Sequence, residues 1–336
     1  MSFKRLDPDD FVVSSDAIST TAWSTESPIL TTFFTSSTQE ASSTGDYYLN
    51  VYQTGSTLDN AAIQFAITYG NKYGSGSVLY NSVVPENSPT KTIFGQYQNL
   101  IIGDENTDFS FGGTTSDDLW VISIDRARYK EKLFLGSFTL LLSGSGGTLS
   151  LTENSTTTTS QTFNEAGRVF QIVSGSVGTV YTGSNASGYS PSKGSYGWFL
   201  PDIGTILLHP TAISESIQLV PSYSVNSDGL NNRALFNSIN GTSARSFRLN
   251  SEETITSDYV FIRPRSSEFN YSTNPSYISG STGEVIYPLF INAPQTYITT
   301  VGLYNDNNEL LAVAKLSRPL LKDFTKEALI RCKLDF

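Results

Sequence analysis

The sequence has little with which to build a reactive centre: one cysteine, Cys332, and one histidine, His209, in 336 residues. A single thiol makes no internal disulfide, and no cluster of soft ligands exists for zinc. Any Ser-His-Asp or Cys-His centre would have to use His209. That residue stands in TILLHP, with no G-x-S-x-G elbow near it. A packing role at a strand end is the expectation. Charge is scarce as well, at 15% of residues against about a quarter in an average soluble protein. No run approaches the roughly 18 consecutive apolar residues that span a bilayer. The opening MSFKRLDPDDFVV lacks the apolar stretch of a secretory signal. Synthesis in the cytoplasm without membrane insertion is expected.

In place of charge the chain has Ser, Thr, Asn and Gly, with 18 Tyr and 20 Phe. Aromatic and β-branched residues favour strands, so the expected fold is mainly β with a few short helices, antiparallel sheets and sandwich-like domains. Acidic side chains outnumber basic ones by 31 to 21, for a net charge of -10. That sign argues against nucleic acid as a partner. Arg126, Arg128, Lys130 and Lys132 alternate locally, as either a solvated strand edge or a docking stripe for an acidic surface.

The first 56 residues carry Phe3, Leu6, Phe11, Val12, Val13, Ile18 and Trp23 among polar spacers. A disordered tail has no need of such groups. An extended arm laid over its own body or over a neighbour is expected, with Phe3, Phe11 and Trp23 as partner contacts. Strands are predicted at Ile29–Thr35 and Tyr47–Tyr52. A helix is predicted from a cap at Thr57 or Asp59 to a stop at Gly70, with Ala62, Phe65, Ala66 and Tyr69 on one face. A second helix has Ser88 as cap, Pro89 in its first turn and Gly103 as stop. LWVISI at Leu119–Ile124 reads as a strand buried on both faces. From about Leu133 to Asn250, short apolar runs between Gly, Ser and Thr suggest a small sandwich or barrel. A helix at Leu230–Ile239, capped by Asp228 and stopped by Gly241, interrupts it. TENSTTTTSQT is expected to be an exposed hairpin loop.

TYITTVGLY, the turn NDNN and ELLAVAKLS make a predicted hairpin whose second strand ends at Pro319. ALIRCKLDF then alternates strictly, with Ala328, Ile330, Cys332, Leu334 and Phe336 on one side. Cys332 is therefore expected to be buried and inert.

Other chemistry fails on spacing. Asp104-x-Asn106-x-Asp108 starts like a calcium loop, but Phe109 and Thr115 stand where Gly and Glu are required. Gly144, Gly146 and Gly147 lack the Lys-Ser/Thr of a phosphate loop. Asp117 with Asp118, Asp104 with Asp108, or Asp7 with Asp9 and Asp10 could supply a glycosidase pair, but spacing fixes no separation. The expectation is no catalytic residue, no cofactor and no metal.

The runs AAIQFAITYGNKYGSGS, PTKTIFGQYQNLI, DDLWVISIDRARYKEKL and EFNYSTNPSYISG resemble virion structural proteins of contractile-tailed phages (myoviruses), in particular those infecting marine cyanobacteria. So does the C-terminal block from PQTYITT to KLDF. Together the blocks run from about residue 61 to 336. The resemblance implies a tail or baseplate component, best placed as a baseplate wedge subunit. It also implies many copies in a multi-protein assembly and partners among other tail proteins and copies of itself. A receptor- or carbohydrate-binding module is the alternative, followed by a glycan-degrading enzyme or a neck protein. The expected architecture is an N-terminal arm at 1–56, a discontinuous α/β domain from 57–132 and 255–336, and an inserted β domain at 133–254.

Overall fold

The computed structural model describes residues 3–30, 34–37, 47–54, 59, 61–74, 90–182, 185–223, 230–240 and 247–335. The protein is mainly β, and its strand pairs are antiparallel. It divides into two compact units, residues 18–253 and residues 1–17 with 254–336. The expected boundaries are corrected. Ile63–Asn71 and Asp118–Ile124 belong to the same sheet as the strands from Thr139 to Leu208, so 57–132 goes with 133–253 and not with the C-terminal third.

In the 18–253 unit a thirteen-stranded sheet runs, in spatial order, through Ile29–Leu30, Phe247–Arg248, Thr139–Gly144, Gly147–Glu153, Gly167–Ser176, Gly197–Leu200, Thr205–Leu208, Asp118–Ile124, Ile63–Asn71, Leu49–Tyr52 and Phe34–Ser37. Two short strands pair at its side. The sheet curls, because Phe247 near one end lies 5.2 Å from Phe65 near the other. The inner face carries Leu140, Leu151, Ile172, Phe199, Ile206, Trp120 and Ile67. The helices Pro210–Ile217 and Asn231–Asn240 add Ile213, Leu235 and Ile239 to that cluster. The opposite face of the central strands, with Leu119, Val121 and Leu207, packs against Phe94 and Ile101 of the helix Thr90–Ile102. Asp118–Ile124 is thus buried on both faces, as LWVISI suggests. Gly103 ends its helix with φ +79, and its N–H donates to the Asn99 carbonyl at 3.1 Å, the left-handed stop expected of it.

Two helix readings need correction. Ile63–Asn71 is a strand, although Ala62, Phe65, Ala66 and Tyr69 fit a helical face. Leu49–Tyr52 and Asp118–Ile124 pair along its two edges, and Ile63, Phe65, Ile67 and Tyr69 alternate with Gln64, Ala66, Thr68 and Gly70, a period-2 pattern that outweighs the partial helical face. The helix Pro210–Ile217 went unread, yet Pro210 stands at its first position, where a missing N–H costs nothing. The caps Thr57, Ser88 and Asp228, the first-turn Pro89 and the stop Gly241 lie outside the described residues.

In the second unit, Ile330–Asp335 pairs with Asn250–Ile262, placing Cys332 opposite Val260 and Ile330 opposite Ile262. The final strand does not meet Asp118–Ile124, whose two edges are taken by Ile63–Asn71 and Thr205–Leu208. Gln295–Tyr304 and Leu310–Asp323 form a two-stranded hairpin. Pro319 does not end it. Pairing skips from Thr300↔Lys315 to Ile298↔Leu320, so Pro319 falls in an irregularity where its missing donor breaks no ladder bond. The core here is small: Val260, Ile330 and Cys332, with Leu6, Ile298, Val301, Leu303, Leu316 and Leu320 partly buried against them.

Candidate functional site

Most of the polar groups that the sequence offered for chemistry make local structural contacts. His209 is 1% exposed, its Nδ1 lies 3.2 Å from the Ser195 carbonyl and its ring is 5.0 Å from Phe111. Burial pushes its pKa down to about 4, so it is neutral at pH 7. Asp118 is buried, accepting hydrogen bonds from the Tyr69 hydroxyl at 2.9 Å and from Ser116 Oγ at 3.3 Å. Burial pushes its carboxyl up to about 6. Its chain neighbour Asp117 is exposed in the bend before the strand. Asp104 accepts from Asn106 N at 2.9 Å and from Thr107 Oγ1 at 2.6 Å, while Asp108 pairs with Lys72 at 2.6 Å. Asp7 and Asp10 close a single turn on each other. Among the described residues no group of three or more His, Cys, Asp or Glu could hold a metal ion. The Cys332 thiol is 5% exposed, and burial raises its pKa.

The expected partner contacts scatter. Phe3 is exposed, its ring edge-on to Tyr304 at 5.1 Å. Lys4 pairs with Glu268 at 2.9 Å and Leu6 joins the small core. The start of the arm therefore lies on its own unit. Phe11, Val12 and Val13 are exposed. Trp23 is not a contact residue. It is 2% exposed, donates Nε1–H to the Phe247 carbonyl at 3.2 Å, and packs 4.9 Å from that ring. The basic run is no stripe. Arg126–Arg128 is one 3-10 turn. Arg126 bonds the Tyr129 carbonyl at 2.5 Å and stacks 4.7 Å above that ring. Arg128 buries Nε, and Lys132 pairs with Glu252 at 3.1 Å. Lys130, like Arg126, is exposed, its backbone N–H donating to Ser251 Oγ at 2.7 Å.

Sequence reasoning missed the surface that stands out. Among the described residues, sixteen of the twenty-four exposed large apolar side chains lie in residues 1–17 and 254–336, although these make up under a third of the chain. Leu289 is 77% exposed and Leu311 69%. With Ile291, Tyr297, Leu310 and Val313 they stud the hairpin and the segment before it. The same unit holds four buried apolar side chains: Val260, Tyr277, Ile330 and Cys332. A sequence signal was present, since the adjacent Leu310 and Leu311 cannot both face one side of a strand.

No helix among the described residues is long and apolar enough to cross a membrane. Comparison with protein-family models, with curated proteins and with solved structures finds no match for this chain.

Proposed function

We propose that this chain is a structural subunit of a contractile-tailed phage virion, a component of the baseplate wedge, and that it works by binding other proteins and not by catalysis. The observation that carries the assembly part is the concentration of exposed apolar side chains on a unit with very few buried ones. Apolar surface in water is unfavourable by roughly 25 cal/mol per Å², and contiguous apolar patches on soluble proteins commonly mark contact sites. A small-cored unit that keeps Leu289, Ile291, Leu310, Leu311 and Val313 in solvent gains stability when a partner covers them. The particle and the position within it rest on the resemblance of the sequence blocks.

The test is to probe purified tailed particles from the genome that encodes the chain, using an antibody against residues 254–336 and peptide mass spectrometry. Stoichiometric recovery with label at the end of the tail is expected. Absence from the particle overturns the proposal.

A carbohydrate-binding reading is favoured by one group of rings. Tyr277 stacks 5.4 Å from Phe290, with Tyr271 at 5.7 Å and Tyr287 at 6.0 Å completing the ladder. The exposed residues beside it, Ile286, Leu289 and Ile291, are aliphatic and suit a protein partner better than a sugar ring. Saturable binding on a glycan array that is lost in Tyr287→Ala would reverse this preference.

A further inference from the structure

The strands of the small unit differ in how their edges are guarded. An unpaired edge invites another strand, and proteins protect such edges with charge, proline or irregularity. Ile330–Asp335 carries Arg331, Lys333 and Asp335. Leu310–Asp323 carries Lys315, Arg318 and Pro319, and shares with Gln295–Tyr304 the irregular pairing at Ile298 to Thr300. Phe11–Thr21 has Asp16 at its middle. Gln295–Tyr304, sequence QTYITTVGLY, has no charge and no proline over ten residues. Among the described residues it is paired along one side, to Leu310–Asp323, and no other backbone–backbone hydrogen bond reaches it. At its start the Gln295 backbone contacts Tyr277, and Thr296 Oγ1 donates to the Phe269 carbonyl at 2.6 Å.

Its faces follow a second pattern. Thr296 is buried, and Ile298, Val301 and Leu303 pack against the core. Tyr297, Thr299, Thr300 and Gly302 are exposed. The order from Thr296 to Leu303 is therefore in, out, in, out, out, in, out, in. It reads the same in both directions about the point between Thr299 and Thr300. A strand that meets an unrelated strand has no reason for such symmetry. One that meets its own copy across a two-fold axis requires it, because an isologous contact sets each residue against its mirror position. A one-residue slip would turn buried positions outward.

We infer that Gln295–Tyr304 pairs antiparallel with the same strand of a second copy, about a two-fold axis between Thr299 and Thr300. Thr299 then faces Thr300 of the other copy, Ile298 faces Val301, Tyr297 faces Gly302 and Thr296 faces Leu303. Every pair joins residues of the same face. The two hairpins become one four-stranded sheet, and the absence of charge means no like pair opposes itself at any position. This rests on the reading of residues 254–336 as an assembly surface but not on which particle is assembled.

The experiment is sedimentation equilibrium of the full chain beside two double variants at these exposed positions. The parent is expected to be a dimer. Thr299→Lys with Thr300→Lys sets lysine against lysine twice across the axis and should weaken the dimer roughly tenfold or more. Thr299→Glu with Thr300→Lys sets glutamate against lysine in the same register and should stay within about threefold of the parent. Thermal melting of both variants checks that the fold is intact. A monomeric parent, a Lys/Lys variant that dimerises normally, or equal loss in both variants overturns the inference. A monomeric parent that is nevertheless recovered in particles would overturn self-pairing and leave the assembly proposal standing.

Discussion

The strands Asp118–Ile124 and Gln295–Tyr304 look alike in sequence, both short on charge and rich in branched and aromatic residues. Six of seven residues are buried in the first and one of ten in the second. The first has a partner on each edge and packed side chains on each face. The second has one edge partner and one covered face. A sequence that suits the interior has thus been placed at the surface. In the large unit apolar residues hold the fold together, and in the small unit many of them are exposed.

This contrast can be broken experimentally, most sharply in the large unit. Trp120→Ala or Trp23→Ala should cost about 3–5 kcal/mol, and Trp23→Ala also strands the Phe247 carbonyl. Removing residues 1–25 should accordingly destabilise the 18–253 unit, whereas removing 1–17 should leave it folded. Urea midpoints of the four proteins decide this. A parent-like midpoint for the 1–25 deletion would show that Trp23 is dispensable.

In the small unit, Ile330→Ala should cost about 2–5 kcal/mol, a large share of what its few buried groups can supply. Local opening is expected, with proteolytic cleavage within 254–336 while 18–253 stays protected. Loss of both units together would show that they unfold as one. Deleting Arg331–Phe336 removes Cys332 and Leu334 as well and should have the same effect or worse, whereas Lys333→Ala on the exposed side should change little.

Two buried groups of the large unit titrate in opposite senses. Asp118 has its folded pKa raised from 3.8 to about 6. The stability that its protonated form contributes is full below pH 4 and lost as pH rises through 6, up to about 3 kcal/mol. His209 has its folded pKa lowered from 6.5 to about 4. Its contribution is full above pH 6.5 and lost as pH falls through 4. The parent should therefore show a shallow profile between pH 4 and 6.5. Asp118→Asn should steepen the loss of stability toward acid, and His209→Gln should reverse the slope. Denaturant midpoints at pH 4.5 and 7.5 measure both, and parallel profiles for the three proteins would contradict it.

The smallest expected effect is at the exposed hairpin. Leu311→Ser and Val313→Ser should move the melting of the isolated chain by within about 0.5 kcal/mol, as surface substitutions do. The same variants should reduce incorporation into particles. A large loss of melting temperature would mean that these side chains support the fold of their own chain.

The sequence by itself determined the β class, the double burial of Leu119–Ile124, the helix ending at Gly103, the hairpin near 296–318 and the alternation that buries Cys332. Each follows from a local pattern whose cause lies within a few residues. It also pointed to His209 as a packing residue, since no other catalytic group stood near it in the chain. The tertiary structure decided the rest. Ile63–Asn71, where a partial helical face competes with a period-2 pattern, is a strand because Leu49–Tyr52 and Asp118–Ile124 pair with both of its edges. Trp23 moved from contact residue to core because Phe247, distant in sequence, came within 5 Å of it. The basic run 126–132 dissolved into a turn and an ion pair with Glu252 for the same reason. Most of all, exposure of Leu289 and Val313 was not readable, because local pattern records that a side chain is apolar. Whether it is covered depends on how many other elements the fold brings against it.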